Sequence, residues 1–236
     1  MLGQETEALL LDHDGTVANT EQQIIHSLLT TVSFYDSQRV LTQEEIDAFF
    51  GPPLEECYRR LYPEADPGFI LNLSRYHNKV GRSSLHLVQL YPKVGETLEK
   101  LRSKGIKLGL VTSRDRLSLM EIMDNLGITG YFNAIVAQED VIEHKPEPEP
   151  VKKGLAILGV NPFGACMSGD TVGDILCAKR AGIRTTVGAL YGFSRRSVRE
   201  QLFQAGADYY IERFEEILEI VQPSFLSKPR GLNKTA

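Results

Sequence analysis

The sequence predicts an α/β protein in which a parallel sheet carries an all-helical insert. From residue 91 onward, short apolar runs alternate with amphipathic segments, which is the pattern of strands joined by crossover helices. Glycine follows the amphipathic segments, as expected where a helix ends in a left-handed residue. Residues 17–90 break this alternation with helical patterning only, which predicts an insert after the first strand.

The composition is that of a globular protein. Its 236 residues are 42% hydrophobic and 24% charged, which suits one large domain or one domain with an insert. The net charge of −5 argues against a nucleic-acid partner, because binding to a phosphate backbone needs a basic surface. The cysteines, Cys57, Cys166 and Cys177, lack metal or redox spacing, which predicts reduced thiols in a cytoplasmic protein. No apolar run is long enough for a signal peptide or a membrane span, so no membrane partner is expected.

The first predicted strand, residues 8–11, is continuously apolar and ends abruptly in acids. This pattern is typical of a parallel strand that is buried on both faces. The other predicted strands are residues 107–112, 133–137, 165–168, 185–190 and, as a short edge strand, 208–211.

Helical patterning fills the spaces between the predicted strands. The predicted helices of the sheet domain are residues 93–104, 116–126, 148–158, 171–181 and 197–205. Those of the insert are residues 21–34, 43–50, 53–61 and 69–82, with a turn at Gly51-Pro52-Pro53. We therefore expect a core of residues 1–16 and 91–222, a helical cap of residues 17–90, and a loose C-terminal tail of residues 223–236.

Four short polar segments follow or closely trail the predicted strands. They are residues 12–16 (DHDGT), 112–113 (TS), 145–146 (KP) and 169–174 (GDTVGD). In an open parallel sheet, ligands bind beyond the carboxyl ends of the strands. The sequence therefore predicts that these segments share one site.

Asp12 and Asp14 form a pair of carboxylates that could act on one substrate. Asp12 ends the first strand, and Asp14 lies in a loop that Gly15 makes possible. This arrangement predicts that Asp12 attacks phosphorus to form an aspartyl-phosphate, while Asp14 protonates the leaving oxygen and then deprotonates water. Taken alone, the motif is equally consistent with a polar turn after a strand.

Asp170 and Asp174 add further acids at another strand end. Carboxylates this close to Asp12 would raise one another's pKa values, a cost that a hard divalent cation removes. A set of oxygen ligands favours Mg²⁺. The alternative is a helix N-terminus capped by Asp170 or Thr171, which is compatible with metal binding.

Lys145, Thr112 and Ser113 complete the predicted phosphate site. Pro146 keeps Lys145 out of a helix, so the ammonium would lie on a loop at the sheet edge. Thr112 and Ser113 offer hydroxyl and N–H groups to phosphoryl oxygens. Each signal is weak alone, but phosphoryl transfer depends mostly on positioning and electrostatics.

The four segments in this order, with a helical insert after the first, resemble the haloacid dehalogenase-like hydrolase superfamily over nearly the whole chain. The resemblance implies a Rossmann-like core, a mobile helical cap and Mg²⁺. It implies that Asp12 is the nucleophile and Asp14 the acid/base, with the backbone carbonyl of Asp14 as a metal ligand. It also implies that Thr112 is the phosphate-binding hydroxyl and Lys145 the stabilising lysine. Asp170 and Asp174 would be the metal carboxylates. Dehalogenases and phosphonatases lack the second aspartate, so Asp14 favours a phosphatase.

Further segments resemble two phosphatase subgroups. Residues 169–174 and Tyr191-Gly192-Phe193 look like phosphoglycolate phosphatases, whereas residues 50–54 (FGPPL) and 143–150 (EHKPEPEP) look like bacterial pyrophosphatases. The expected activity is hydrolysis of a small phosphomonoester such as phosphoglycolate, by a monomer or homodimer; the alternative is pyrophosphate hydrolysis.

Two other functions remain open alternatives. One is a sugar-phosphate mutase, although mutases usually carry Asp-Gly-Val where this chain has Asp14-Gly15-Thr16. The other is a non-enzymatic relative, whose signature would be loss of Asp12 or Asp14.

Two positions depart from the family pattern. His13 replaces an apolar residue, and it is either packed with a backbone hydrogen bond or a titrating group near the nucleophile. Ser113 stands where phosphoglycolate phosphatases often carry asparagine.

Substrate choice should come from the cap, whose hinges are expected near residues 17–19 and 88–92. We hypothesise that at least one cap cation contacts the substrate's second anionic group. The candidates are Arg59, Arg60, Arg75, His77, Lys79 and Arg82.

Overall fold

The computed structural model describes residues 6–193 and 198–221, without the side chain of Val198. The predicted tail, residues 223–236, lies outside the described residues. The strands are β1 (Ala8–Leu11), β2 (Ala18–Asn19), β3 (Gln89–Leu90), β4 (Lys107–Val111), β5 (Ala134–Val136), β6 (Ala165–Gly169), β7 (Thr185–Ala189) and β8 (Tyr209–Ile211).

The helices, apart from short 3₁₀ turns, lie between these strands. Those before β3 are α1 (Glu21–Tyr35), α2 (Gln43–Asp47), α3 (Leu54–Leu61) and α4 (Pro67–Ser83). Those after β3 are α5 (Val94–Ser103), α6 (Arg116–Asn125), α7 (Glu149–Leu158), α8 (Val172–Arg180), α9 (Val198–Gln204) and α10 (Ile217–Val221).

The described residues contain a six-stranded parallel sheet in the order β5-β4-β1-β6-β7-β8, which confirms the predicted fold class. Strand β1 is central, with Leu11 paired to Leu110 of β4 and to Ser168 of β6. Because β4, β1 and β6 are neighbours, the residues after them meet at one edge of the sheet. Strand β8 lies at the edge of the sheet, as predicted, but begins at Tyr209 rather than at residue 208.

The continuous apolar run of β1 is explained by burial on both faces. Leu9 and Leu11 pack into one cluster with Leu98 of α5, and Leu10 packs into another with Val151 and Leu155 of α7. A strand between two helical layers has no solvent face, so it has no polar alternation. This is why the chain stays apolar until it reaches the sheet edge.

Helices α1 to α4 bury an apolar cluster of their own. Its members include Leu28, Phe49, Tyr58 and Leu73. The chain enters and leaves this helical group through strands β2 and β3, which form an antiparallel ladder pairing Ala18 with Leu90. Hinges were expected at these two segments, but their pairing was not.

The helical group contacts the sheet domain at several points above the carboxyl edge of the sheet. The rings of Phe50 and Phe193 lie 4.5 Å apart between centroids. Gln138 donates to Glu55 through an Nε2–Oε2 hydrogen bond of 3.0 Å. The helices therefore cover the edge to which the polar segments lead.

Helix boundaries differ from prediction where local capping decides them. Helix α4 begins at Pro67, because Asp66 accepts the N–H groups of Gly68 and Phe69 and proline suits the first helical position. Helix α2 ends at Asp47 rather than at residue 50. Helix α10 was not predicted.

Two predictions can be compared with the described residues. One concerns the state of the cysteines, and the other concerns membrane-spanning segments. All three cysteines are buried and unpaired. Within residues 6–193 and 198–221, none of the helices combines the length and apolarity needed to cross a bilayer.

Candidate active site

Three adjacent strands deliver the predicted site residues to one place. Asp12 follows β1, Thr112 follows β4, and Asp170 follows β6. The backbone N–H of Asp12 donates to Ser168 O at 3.0 Å, and that of Thr112 donates to Val136 O at 3.0 Å. The sheet hydrogen bonding thus continues one residue beyond the strands and fixes where these side chains start.

The Lys145 ammonium joins two of the acids. Its Nζ lies 2.6 Å from Asp12 Oδ1, 2.6 Å from Asp174 Oδ1 and 2.7 Å from the carbonyl oxygen of Val111. Burial opposes the charged form, yet the carboxylates of Asp12 and Asp174 outweigh it and raise the pKa of Lys145. The lysine therefore stays charged and neutralises part of the cluster.

Asp12, Asp170 and Asp174 form a buried cluster of acids. One oxygen from each lies within 4.8 Å of the others. Burial, opposed by Lys145 and reinforced by Asp174, raises the pKa of Asp12 to about 7. Burial and the charge of Asp12 raise the pKa of Asp170 as well. One ammonium among three carboxylates leaves two negative charges uncompensated, and this charge and all-oxygen donor set fit a divalent cation such as Mg²⁺.

Glycines allow the loops to close around Asp170. Gly15 has φ +80°, and a Cβ there would lie 2.2 Å from Asp170 Oδ2. A Cβ at Gly192 would lie 2.4 Å from Asp170 Cβ. Asp170 accepts hydrogen bonds from Thr16 Oγ1 at 3.3 Å and from the N–H of Phe193 at 3.2 Å.

Thr171 is the N-cap of α8, so the capping alternative holds together with the acid cluster. The Thr171 hydroxyl donates to Asp174 Oδ2 at 2.6 Å and accepts from the Asp174 N–H at 3.3 Å. Asp174 thus uses Oδ2 for the cap and Oδ1 for Lys145. Asp170, the other proposed cap, is not the N-cap residue.

Arg114 is a site residue that the sequence analysis missed. Its Nη2 donates to Asp14 Oδ1 at 2.7 Å and its Nε donates to Asp14 Oδ2 at 3.0 Å. Thr20 Oγ1 also donates to Asp14 Oδ1, at 2.7 Å. Burial would raise the pKa of Asp14, but Arg114, with a contribution from His13, holds it well below its usual range. The sequence feature that could have identified Arg114 is its position directly after the Thr112-Ser113 segment, at the sheet edge where the acids meet.

Thr112 is oriented by the same arginine. Its Oγ1 accepts a hydrogen bond from the backbone N–H of Arg114 at 3.1 Å. The hydroxyl oxygen is therefore an acceptor in this contact, which does not use the hydroxyl hydrogen. Thr112 and Ser113 line a cavity of about 480 Å³ together with Asp12 and Asp14.

Helix α4 of the insert forms part of the cavity wall opposite these groups. Arg75, His77, Asn78 and Arg82 contribute to that wall. Arg82 also lies 3.7 Å from Glu121 across the boundary between insert and sheet domain. Of the six candidate cap cations, Arg75, His77 and Arg82 thus line the cavity that Asp12 and Asp14 also line.

The remaining candidates lie elsewhere. Arg60 lines an adjoining cavity of about 560 Å³, which Lys145 and Asp170 also line, and it pairs with Glu56. Arg59 and Lys79 line neither of these two cavities.

His77 and His13 both differ from what the sequence predicted. His77 was predicted as a cation, but burial, with the charge of Arg114, lowers its pKa to about 3, so the imidazole is neutral. His13 is fully buried, and neither ring nitrogen makes a hydrogen bond to the described residues, so the predicted backbone bond is wrong. Its Nδ1 lies 3.4 Å from Asp14 Oδ1. The alternative role of His13 as a titrating group stays a prediction.

Comparison with known proteins places this geometry in a family. A model of the haloacid dehalogenase-like hydrolases matches residues 9–187. The pyrophosphatase PpaX of Halalkalibacterium halodurans is 34% identical over 217 residues, covering 92% of this chain and 97% of the relative. PpaX of Anoxybacillus flavithermus is 33% identical over 213 residues, with 90% and 95% covered.

Solved structures share the fold. A predicted phosphoglycolate phosphatase from Haemophilus somnus has a TM-score of 0.78 at 24% identity, covering 94% of this chain and 100% of that one. CbbY of Rhodobacter sphaeroides, solved with phosphate, has a TM-score of 0.77 at 22% identity, with 90% and 96% covered. The family match over most of the chain and the curated relatives lead to one conclusion: this chain belongs to the haloacid dehalogenase-like hydrolase family.

Proposed function

We propose that this hydrolase is a Mg²⁺-dependent phosphatase that acts through an aspartyl-phosphate on Asp12. The observation that carries the proposal is the position of Asp12 at the centre of the sheet edge, 2.6 Å from Lys145 Nζ and within the acid cluster. A buried carboxylate beside an ammonium and two further acids is poorly suited to a merely structural role, because its charge is costly to bury.

The metal would be held by Asp12, Asp170 and Asp174, with the backbone carbonyl of Asp14 as a further ligand. When bound, Mg²⁺ supplies positive charge that screens the phosphate from the carboxylates. Lys145, which contacts Asp12 and Asp174, would offset the negative charge of Asp12 and of the phosphoryl oxygens. Thr112 and Ser113 then orient those oxygens by hydrogen bonding.

Asp12 and Asp14 divide the chemistry between them. The carboxylate of Asp12 attacks phosphorus and the bond to the leaving oxygen breaks. Asp14 protonates that oxygen only when it carries a proton, which its pairing with Arg114 opposes, so a leaving phosphate that needs no proton suits this site best. Asp14 then takes a proton from water, which attacks the aspartyl-phosphate, releases phosphate and restores Asp12. Closure of residues 17–90 as a cap would keep other acceptors away from the intermediate.

For the substrate we favour pyrophosphate, with a small phosphomonoester such as phosphoglycolate as the second candidate. The sequence analysis ranked these in the opposite order. The curated relatives at 33–34% identity over at least 90% of the chain are named pyrophosphatases, which supports the change. Arg75, which has no polar partner among the described residues, brings positive charge to the cavity, as a second anionic group requires.

The test is phosphate release with Mg²⁺ from pyrophosphate, 2-phosphoglycolate, β-glucose 1-phosphate and p-nitrophenyl phosphate. We expect pyrophosphate to have the highest kcat/KM, and EDTA or Asp12→Asn to abolish turnover. Asp12→Asn keeps the side-chain shape and removes the nucleophile. Wild-type enzyme without activity on the whole panel, or an active Asp12→Asn variant, would contradict the proposal. Conversion of β-glucose 1-phosphate to glucose 6-phosphate without phosphate release would indicate a mutase instead.

A further inference from the structure

We infer that His77 of the cap is a substrate-binding residue whose Nε2–H donates a hydrogen bond to an anionic oxygen of the group that is not transferred. The inference rests on the proposed function and deepens it by assigning a neutral donor to the substrate's second anionic group.

The imidazole of His77 is held rigidly in helix α4. The residue is 7% exposed, and its Nδ1 lies 2.9 Å from the hydroxyl oxygen of Tyr58. The ring of Phe49 lies parallel to it, with 6.4 Å between centroids and 6° between planes. Tyr58 is itself fully buried, so the side chains of Tyr58 and His77 have little room to move apart. A side chain fixed in this way loses little conformational entropy when it binds a ligand.

The contact with Tyr58 determines which nitrogen carries the hydrogen. Burial keeps the imidazole neutral and raises the pKa of the phenol, so Tyr58 retains its proton. We assign the phenol as the donor to Nδ1 in this contact, which places the imidazole hydrogen on Nε2. His77 is therefore a hydrogen-bond donor toward whatever faces Nε2.

The cavity is what faces Nε2. His77 lines the same cavity as Asp12, Asp14 and Thr112. Among the described residues, Nε2 has no hydrogen-bond partner, yet it is not one of the enclosed side-chain atoms that lack a partner. Because Nε2 is not enclosed, its N–H is accessible from the cavity and can donate to a substrate oxygen that replaces water there.

We assign that acceptor as an anionic oxygen of the substrate, since an oxyanion is the strongest acceptor that this site would bind. Arg75, on the same helix, lines the cavity as a cation. Arg114 is paired with Asp14, and the carboxylates of Glu55 and Glu139 also line the wall. A neutral imidazole can donate to an anion beside these arginines without adding a repulsive positive charge. The shared chemistry is an oxyanion, either the second phosphate of pyrophosphate or the carboxylate of phosphoglycolate.

The experiment compares His77→Leu and His77→Gln with wild-type enzyme and Mg²⁺, on pyrophosphate, 2-phosphoglycolate and phenyl phosphate. Phenyl phosphate has no anionic oxygen outside the transferred group. We expect His77→Leu to raise KM about tenfold for the better substrate of pyrophosphate and 2-phosphoglycolate, the two that carry a second anionic group, which is the effect of one hydrogen bond to a charged acceptor. KM for phenyl phosphate should change less than about twofold, because that substrate lacks the acceptor.

His77→Gln should recover most of the loss, because its amide can place an N–H near the position of Nε2. Lys79→Ala is the matched control, since Lys79 is an exposed cation of the same helix and lines neither of the two cavities. Its KM values should equal those of the wild type. The source of the oxyanion is whichever of pyrophosphate and 2-phosphoglycolate shows the larger rise in KM in His77→Leu.

Tyr58→Phe provides a second route in case His77→Leu unfolds, which a thermal melt would reveal. It removes the group that fixes the hydrogen on Nε2, so we expect KM for the substrate with a second anionic group to rise several-fold. Unchanged KM in His77→Leu or in Tyr58→Phe, or an equal rise for phenyl phosphate, would overturn the inference while wild-type turnover upheld the proposed function. A wild-type enzyme inactive on all substrates would instead refute the proposed function.

Discussion

Arg114 holds both carboxylate oxygens of Asp14, through an Nη2–Oδ1 contact of 2.7 Å and an Nε–Oδ2 contact of 3.0 Å. The two residues are 100 positions apart in the sequence, on loops that follow neighbouring strands. Paired hydrogen bonds from a planar guanidinium fix both the position and the charge of the carboxylate. The proposed acid/base is therefore oriented by a side chain on the next strand loop.

This pairing predicts that Arg114→Met lowers kcat about tenfold to a hundredfold. A carboxylate that has lost its orienting partner transfers protons less efficiently, and general acid–base catalysis contributes factors of about 10² to 10⁴. Arg114→Lys should recover only part of the loss, because an ammonium cannot form the paired contact. Steady-state kinetics with pyrophosphate measure the effect, and Arg213→Met, at an exposed arginine, is the control. Arg114→Met with wild-type kcat would show that Asp14 needs no such partner.

The acid cluster predicts how stability without metal depends on pH. Burial raises the pKa of Asp12 to about 7, and burial also raises that of Asp170, so folding favours the protonated carboxyls. This stabilisation is present below the unfolded pKa of 3.8 and is lost as the pH rises through the folded value. The two acids therefore lower the Tm in EDTA between about pH 4 and pH 7, while the neutral His77, with its pKa of about 3, raises it over much of the same range. The contribution of the acids is the Tm difference between wild type and Asp12→Asn, which should become less favourable to wild type as the pH rises.

Magnesium should reverse that fall, because it stabilises the ionised carboxylates. We expect the rise in Tm on adding Mg²⁺ to be larger at pH 7.5 than at pH 5, since protons compete with the metal at the lower pH. Thermal melts with Mg²⁺ or EDTA across this range measure the effect. Asp170→Asn should reduce the magnesium effect at pH 7.5, and a Tm that Mg²⁺ leaves unchanged at every pH would argue against the metal site.

Gly15 predicts a pair of substitutions that separates steric from backbone effects. Gly15 and Gly105 have φ of +80° and +81°, but only at Gly15 would a Cβ meet another side chain, at 2.2 Å from Asp170 Oδ2. Gly105→Ala should lower the free energy of unfolding by about 1–2 kcal/mol, the cost of a left-handed alanine, and leave kcat unchanged. Gly15→Ala should in addition displace Asp170 and weaken Mg²⁺ activation. Equal kinetics in the two variants, measured over a Mg²⁺ titration, would contradict this explanation.

The contact between Phe50 and Phe193 predicts that the cap contributes to substrate affinity. Phe50→Ala removes an aromatic pair that joins the insert to the sheet domain, at 4.5 Å between centroids. Such pairs contribute about 0.5–1.5 kcal/mol, so a cap that closes less readily should raise KM about two- to tenfold. Phe34→Ala is the control, because Phe34 is an exposed cap residue that stacks on Tyr76 of the cap. A KM equal to that of wild type in Phe50→Ala would mean that this contact does not support closure.

The sequence by itself determined the sheet and most of the candidate site. Apolar runs that end in acids or hydroxyls predict buried strands, and parallel strands bring their carboxyl ends to one edge. Asp12, Thr112 and Asp170 therefore came together as expected, with Lys145 and Asp174 beside them. These inferences depend on local pattern and chain direction, which are written in short stretches of sequence.

Only the tertiary structure decided which distant side chains meet and which groups lose water. Arg114 reaches Asp14 because β4 lies beside β1, and a long flexible side chain has no partner that local sequence can identify. His77 is neutral because the cap helices bury it against Tyr58 and Phe49, whereas its sequence position suggested a cation. Desolvation and pairing are properties of the packed assembly, since both depend on segments that are remote along the chain.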